Sequence, residues 1–146
     1  MSDNDQDYIV IEGDNETILV ENDIAIIEVA ERGPPGAVGT TNPKEFVVAF
    51  NATNTVVNWE NGDIAILTLT GNTTVSMIGT RKKCLLVVVQ DAVGSRIITW
   101  DSASIGFGID IPSIPLSSLP NKTDYLGFAY NEATGKQNLV GFSRGY

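Results

Sequence analysis

The stretch Cys84-Leu85-Leu86-Val87-Val88-Val89 decides the fold. Six consecutive apolar residues between polar turn residues are typical of a β-strand that is covered on both faces. We therefore predict that residues 84–89 form a central strand. The run Arg81-Lys82-Lys83 precedes it and is interpreted as a solvated turn rather than a binding patch.

Similar short runs recur on both sides of this strand, at a spacing of about ten residues. They cover residues 46–50, 56–59, 64–69, 73–78, 96–100, 124–130 and 137–142, and turn residues lie between them. Asn61-Gly62 is a strong hairpin signal. The proline-rich connection after residue 100 is not expected to form a central strand. Residues 45–146 are therefore predicted to form an all-β body, an antiparallel, jelly-roll-like β-sandwich, without a helix.

Residues 1–31 are predicted to be a β-rich attachment arm. Short β-branched runs alternate there with turns, and the arm is too small to bury a core by itself. It contains ten of the 18 acidic residues and no Lys or Arg. Its apolar residues are the candidates for docking on a partner: Tyr8, Ile9, Val10, Ile11, Ile18, Val20, Ile24, Ile26, Ile27 and Val29.

Residues 32–44 are predicted to be a hinge between the arm and the body. They contain Gly33-Pro34-Pro35-Gly36-Ala37-Val38-Gly39, with glycine at every third position, which is the collagen pattern. Two interpretations stay open: a stiff linker, and a point where three chains meet through Gly33, Pro34, Pro35, Gly36 and Gly39.

The composition excludes most catalytic sites. There is no histidine, and Cys84 is the one cysteine, so Ser–His and Cys–His pairs and most zinc sites are excluded. No phosphate loop, dinucleotide fingerprint or EF-hand loop is present. We predict no enzyme activity, no cofactor and no metal. A glycosidase based on two carboxylates is the alternative that stays open.

Charge and hydropathy also limit the partners. All nine basic residues follow residue 31, where eight acids accompany them, so no cationic surface for nucleic acid is expected. No apolar run reaches the length of a membrane span. Trp59 and Trp100 are candidate ligand or interface aromatics, although strand tryptophans more often pack in a core. Tyr146 is either an interface anchor or a frayed end.

The body resembles a β-sandwich module found in tail fibres, head fibres and capsid decoration proteins of tailed bacteriophages. The resemblance rests on residues 62–74, 85–100 and 123–131, and QDAVGSRIITW (90–100) is its most specific part. The junction ERGPPGAVG (31–39) resembles the start of phage fibre and decoration proteins, in which an attachment arm precedes collagen-like triplets and an outer knob.

The resemblance implies a virion structural protein assembled in the host cytoplasm, a homotrimer that docks on the major capsid protein or another virion protein. Two alternatives stay open. One is a receptor-binding tail-fibre tip that binds a host-surface glycan, and the other is a carbohydrate-binding β-sandwich module. Both need exposed aromatic rings, for which Trp59 and Trp100 are the candidates.

Overall fold

The computed structural model describes residues 9–13, 16–20 and 42–146. The chain divides into two compact units, Met1–Gly39 and Thr40–Tyr146, and each is described by itself. Strands make up 48 % of residues 42–146, with almost no helix, so the prediction of an all-β protein is confirmed.

The first unit contains a two-stranded antiparallel hairpin. Its strands are β1 (Ile9–Gly13) and β2 (Glu16–Val20), and Ile9 pairs with Val20. The sequence predicts about three short strands in the arm. Two of them correspond to β1 and β2, and the third, at 24–31, lies outside the described residues. Of the candidate docking residues, the hairpin contains Ile9, Val10, Ile11, Ile18 and Val20. The other docking and hinge candidates lie outside the described residues: Tyr8, Ile24, Ile26, Ile27, Val29, Gly33, Pro34, Pro35, Gly36 and Gly39.

The second unit, called the body below, is made of nine strands within residues 42–146. They are β3 (Glu45–Val47), β4 (Asn54–Asn58), β5 (Ile64–Leu69), β6 (Thr73–Ile78), β7 (Lys83–Gln90), β8 (Ile98–Trp100), β9 (Ile105–Gly106), β10 (Thr123–Asn131) and β11 (Lys136–Ser143). A 3-10 turn, Trp59–Asn61, follows β4. The predicted strands match these elements closely, except that β9 was not expected.

These strands form two sheets. The larger sheet has the order β3-β5-β7-β10-β11-β9, and the smaller has the order β4-β6-β8. Strands β3, β5 and β7 run parallel to one another, as do β4, β6 and β8. Strand β10 is antiparallel to both β7 and β11, and β9 is parallel to β11.

The prediction of a wholly antiparallel body is therefore wrong. From β3 to β8 the chain alternates between the two sheets, so each strand pairs with the strand two places later instead of with its successor. The chain then returns to each sheet in the same direction, which makes the pairs parallel. Glu45 pairs with Ile64, and Ile64 with Leu85. We call this arrangement the solenoid-like winding. Each full turn of it takes about 20 residues, as in stacked repeat proteins.

The hairpin expected at Asn61-Gly62 is also absent, because β4 and β5 belong to different sheets. The glycine is needed for a different reason. A Cβ at Gly62 would lie 2.5 Å from the backbone oxygen of Lys44, which is too close for any side chain. Gly62 thus lets the start of β5 approach the segment that enters β3.

One buried cluster joins residues of both sheets. Val57, Val75 and Met77 of the smaller sheet belong to it, together with Leu86 and Val88 of the larger one. Strand β7 lies between β5 and β10, so its predicted central position is confirmed. Both of its faces were expected to be covered. Buried and half-buried residues alternate along β7, so within one subunit one face is fully covered and the other only partly.

Candidate interaction surface

The larger sheet has one side that faces away from the buried cluster. Successive side chains of a strand point to opposite faces, so alternate residues of each strand lie on that side. We call the apolar part of this side the apolar face. Its residues are Val47 of β3, Ile64 and Ile66 of β5, Leu85, Val87 and Val89 of β7, Tyr125 and Gly127 of β10, and Val140 of β11. The same alternation places Glu45, Thr68, Lys83 and Thr123 on this side, around the apolar face.

The strand register aligns these residues in rows across the sheet. Val47 pairs with Ile66, and Ile66 pairs with Val87. Val87 in turn pairs with Tyr125, so this row crosses four strands. A second row starts at Glu45 on the edge strand β3 and runs through Ile64, Leu85 and Gly127. Cross-strand neighbours of this kind lie close enough to touch, so the face is a continuous apolar surface.

No residue of the apolar face carries a charge. The charged residues nearest to it along the strands are Glu45 at the start of β3 and Lys83 at the start of β7, and both lie at its margin. The neighbours of Tyr125 in the sheet are Val87 and Ser143. Any partner of this face must therefore be recognised by shape and apolar contact rather than by ion pairs.

The most exposed residues of the apolar face are Val47, at 80 %, and Val140, at 64 %. Val140 is the extra residue of a β-bulge, since Gly127 pairs with Gly141 while Phe128 pairs with Leu139. A methyl carbon of Val140 lies 3.5 Å from the position that a Cβ at Gly127 would occupy. Bulges redirect a side chain, and here the bulge places Val140 over the glycine.

Two tyrosines form the edge of the apolar face. The rings of Tyr125 and Tyr146 meet edge to face, with centroids 5.3 Å apart. The backbone of Tyr146 exchanges two hydrogen bonds with Thr123, and its hydroxyl lies 2.9 Å from the Ser143 hydroxyl. Tyr146 is therefore held in place although it is largely exposed. This geometry favours the interface-anchor interpretation over a frayed end.

A buried carboxylate helps to position Tyr146. Asp124 is almost completely buried and accepts hydrogen bonds from the backbone amide and hydroxyl of Ser117, at 2.7 and 2.6 Å. It also accepts a bond of 3.0 Å from the amide of Gly145. Charged acceptors make stronger hydrogen bonds than neutral ones. The side chain of Asp124 thus links β10 by hydrogen bonds to both the proline-rich connection and the segment that contains Tyr146.

The two tryptophans that were candidates for ligand binding lie on the core side of the sheets. Trp59 is completely buried and meets Phe46 edge to face at 5.9 Å. Its Nε1 finds no hydrogen-bond partner among the described residues. Trp100 is half-buried between Phe107 and Phe128, each with its centroid 6.4 Å away. As a ligand-binding aromatic, Trp59 was wrongly predicted, because a buried ring cannot stack on a sugar.

The end of β7 and the loop after it contain residues 90–96, which belong to the segment on which the sequence resemblance most depends. Asp91 accepts hydrogen bonds from the amides of Val93 and Gly94 and from two nitrogens of Arg96. Buried Gln90 bonds the backbone of Arg96 through both ends of its amide. Gly94 has a φ of +73°, which favours glycine. The amide of Ser95 also donates to the backbone oxygen of Ser118 at 2.7 Å, so the turn is held both by its own side chains and by the proline-rich connection.

The cationic run 81–83 borders an open hollow of about 510 Å³ at one end of the body. Arg81 donates to the carboxylate of Asp63 at 2.9 Å and to the backbone oxygen of Trp59. Lys82 forms an ion pair with Glu132. Because two of the three cations already have anionic partners, this geometry agrees with the interpretation of a solvated turn.

Cys84 lies buried at the start of β7, where its Sγ is 3.5 Å from the side-chain oxygen of buried Gln137. Burial raises the pKa of its thiol to about 12, and the nearby Arg81 only partly opposes this effect. A thiol with such a pKa is almost fully protonated at neutral pH, and it is the thiolate that reacts. Cys84 is therefore a core residue with little reactivity.

The described part of the chain holds no group of three or more side chains arranged to bind a metal ion. Within the same residues, no helix is long and apolar enough to cross a membrane. No family model, curated protein or solved structure matches the chain. The apolar face is thus the feature on which a functional interpretation can be built.

Proposed function

We propose that this protein is a non-enzymatic structural component of a bacteriophage virion, a trimeric capsid decoration or head-fibre protein. The observation that carries the proposal is the apolar face, an uncharged surface that extends across five strands. Large exposed apolar patches mark interaction sites on soluble proteins. Permanent assemblies also have more hydrophobic interfaces than transient ones, as expected of a virion component.

In this proposal the body is a β-sandwich-like knob, and its two sheets share one buried cluster. The β1–β2 hairpin belongs to the arm that attaches the protein to the virion. An isolated two-stranded hairpin is marginally stable in water and needs further strands or a packing surface. A capsid surface that adds a strand to the hairpin would supply both, with main-chain hydrogen bonds providing affinity.

The tail-fibre tip and the carbohydrate-binding module gain less support from the structure. A sugar site needs exposed aromatic rings together with convergent polar groups. Trp59 is buried, and Trp100 packs against Phe107 and Phe128. The exposed tyrosines lie instead beside a surface of aliphatic side chains. This arrangement favours an assembly surface over a glycan site.

The proposal is tested with the purified chain and purified phage capsids that lack it. Light scattering coupled to size exclusion is expected to give three times the mass of one chain, and sedimentation with capsids should bring the protein into the pellet. Deleting residues 1–31 should abolish co-sedimentation while circular dichroism of the body stays unchanged. A monomer that does not bind capsids would refute the proposal.

A glycan array distinguishes the alternatives. Under the proposed function, the chain should give no signal above that of an unrelated β-protein. Glycan binding that is lost on Trp100→Ala would instead support a receptor-binding tip or carbohydrate-binding module.

A further inference from the structure

We infer that the apolar face is covered by a second copy of this chain, with Tyr125 and Tyr146 as anchors at the edge of the contact. This inference rests on the proposed function, because it identifies the surface through which the proposed oligomer forms. Beyond the proposed function, the inference states which molecule covers the apolar face and which residues the contact depends on.

The composition of the apolar face points to a permanent partner. Interfaces that form and dissociate are about as polar as the rest of a protein surface, whereas the cores of homo-oligomer interfaces are more apolar and poor in charge. The face matches the second type, since aliphatic side chains cover β5 and β7 and its charged neighbours Glu45 and Lys83 lie at the margin. Most permanent assemblies of soluble proteins are formed by identical chains.

The lack of charge argues against other occupants. Nucleic acid binding requires clustered Lys and Arg to neutralise phosphates. The five strands of the face carry two separate cations, Lys83 on β7 and Lys136 on β11, and these do not form a cluster. An acidic peptide would likewise find no array of cations. A glycan would leave its hydroxyl groups without partners over Ile66, Leu85 and Val87, which is costly. A second copy brings surfaces of the same aliphatic character and has none of these difficulties.

The size of the apolar face is adequate for self-association. Five strands about 4.8 Å apart and three rows of outward residues about 6.7 Å apart give this side of the sheet a flat area of roughly 500 Å², of which the nine residues of the apolar face occupy about three fifths. Counted on both partners, a contact over this side of the sheet buries about 1,000 Å², the size at which an interface is credible as biological. The paired tyrosines lie beside this area and belong to a residue type enriched among binding hot spots.

The test compares lysine substitutions on and off the face in the full chain. Val47→Lys and Val140→Lys change side chains that are 80 % and 64 % exposed within one subunit, so the fold should be retained. Ile109→Lys is the matched control, because Ile109 is 98 % exposed and lies outside the strands. Sedimentation equilibrium over a concentration series gives the association constant, and circular dichroism checks the fold.

Each face variant should weaken self-association by about tenfold or more, and the double variant should be a monomer, since each buries a lysine against apolar side chains. Tyr146→Ala should have a similar effect, while Ile109→Lys should associate like the wild type. A wild-type oligomer whose mass survives the double variant would overturn this inference and leave the proposed function standing. Conversely, face-dependent self-association without capsid binding would overturn the proposed function alone.

A second measurement avoids any effect of the lysines on folding. In Val140→Cys the new thiol is expected to react slowly with a maleimide when the chain is concentrated and rapidly when it is dilute. Cys84 should not interfere, since it is buried. Ile109→Cys should react at one rate at all concentrations. Equal, concentration-independent reactivity at both positions would overturn the inference.

Discussion

Replacing two adjacent leucines of β7 tests the assignment of its two faces. Leu86 is completely buried in the cluster shared by both sheets, whereas Leu85 is half-buried on the apolar face. Leu86→Ala and Leu85→Ala remove the same atoms from neighbouring positions of one strand. The intrinsic preference of the strand for leucine over alanine is therefore nearly the same in both variants, and the difference reports burial.

The expected magnitudes follow from that burial. Leu→Ala removes three carbons, worth about 2.4 kcal/mol at roughly 0.8 kcal/mol for each buried CH₂. The cavity left at Leu86 adds to this loss, so the free energy of unfolding should fall by about 3–4 kcal/mol, within the range measured for buried leucines. At Leu85 much of the side chain remains in contact with water, and the loss should be no more than about 1 kcal/mol.

Urea unfolding followed by tryptophan fluorescence gives these values, since unfolding exposes the buried ring of Trp59. Both variants are made in the Val47→Lys/Val140→Lys background, so that dissociation of an oligomer does not contribute to the measured free energy. Equal losses, or a larger loss for Leu85→Ala, would refute the assignment. A shift of one residue in a strand moves every side chain to the other face, so that result would mean that β7 presents its other face to the core.

Three further predictions concern the polar groups and the thiol of the body. Because burial raises the pKa of Cys84, it should resist maleimide in the folded chain at pH 8 and react fully in urea, as mass spectrometry can show. Asp124→Asn replaces one acceptor oxygen by a donor that faces Ser117, so calorimetry should find a stability loss of about 2–3 kcal/mol. The hydrogen bonds from Arg96 lower the pKa of Asp91 below its ordinary value of 3.8, so stability from this carboxylate is present above that value and is lost as pH falls through the lowered pKa. The urea midpoints of wild type and Asp91→Asn should differ at pH 7 and converge as the pH is lowered into the acid range, and a difference that does not shrink in acid would contradict this account.

The positions of the strands could be predicted from the sequence, because alternation and turn residues are local signals. The strands expected at 64–69 and 73–78 match β5 and β6, and the apolar run 84–89 lies inside β7. Strand β9 could not be predicted, because Ile105–Gly106 is only two residues long and has no periodicity. Its place in the sheet depends on pairing with β11, which is distant in sequence.

The direction of the strands could not be predicted, since a period of two residues is the same in parallel and antiparallel sheets. Asn61-Gly62 has the composition of a tight hairpin, but it connects strands of different sheets. The 3-10 turn Trp59–Asn61 redirects the chain there, and the close approach of Gly62 to Lys44 explains the glycine. Asn61-Gly62 thus correctly predicted that the chain changes direction, but the prediction that β4 and β5 pair with each other was wrong.

The same limit explains why the apolar face is a property of the structure and not of any one segment. Val47, Ile66, Val87 and Tyr125 belong to separate segments of the chain, and each is unremarkable in a half-buried strand. They form one surface only because the solenoid-like winding places β3, β5 and β7 side by side and β10 pairs with β7. The row joins β3, β5 and β7 as parallel neighbours, so a wholly antiparallel sandwich, as expected from the sequence, could not contain it. A chain that paired its strands in another order could keep the same strand content and still lose this surface. Self-association is therefore a more sensitive test of the solenoid-like winding than the strand content measured by circular dichroism.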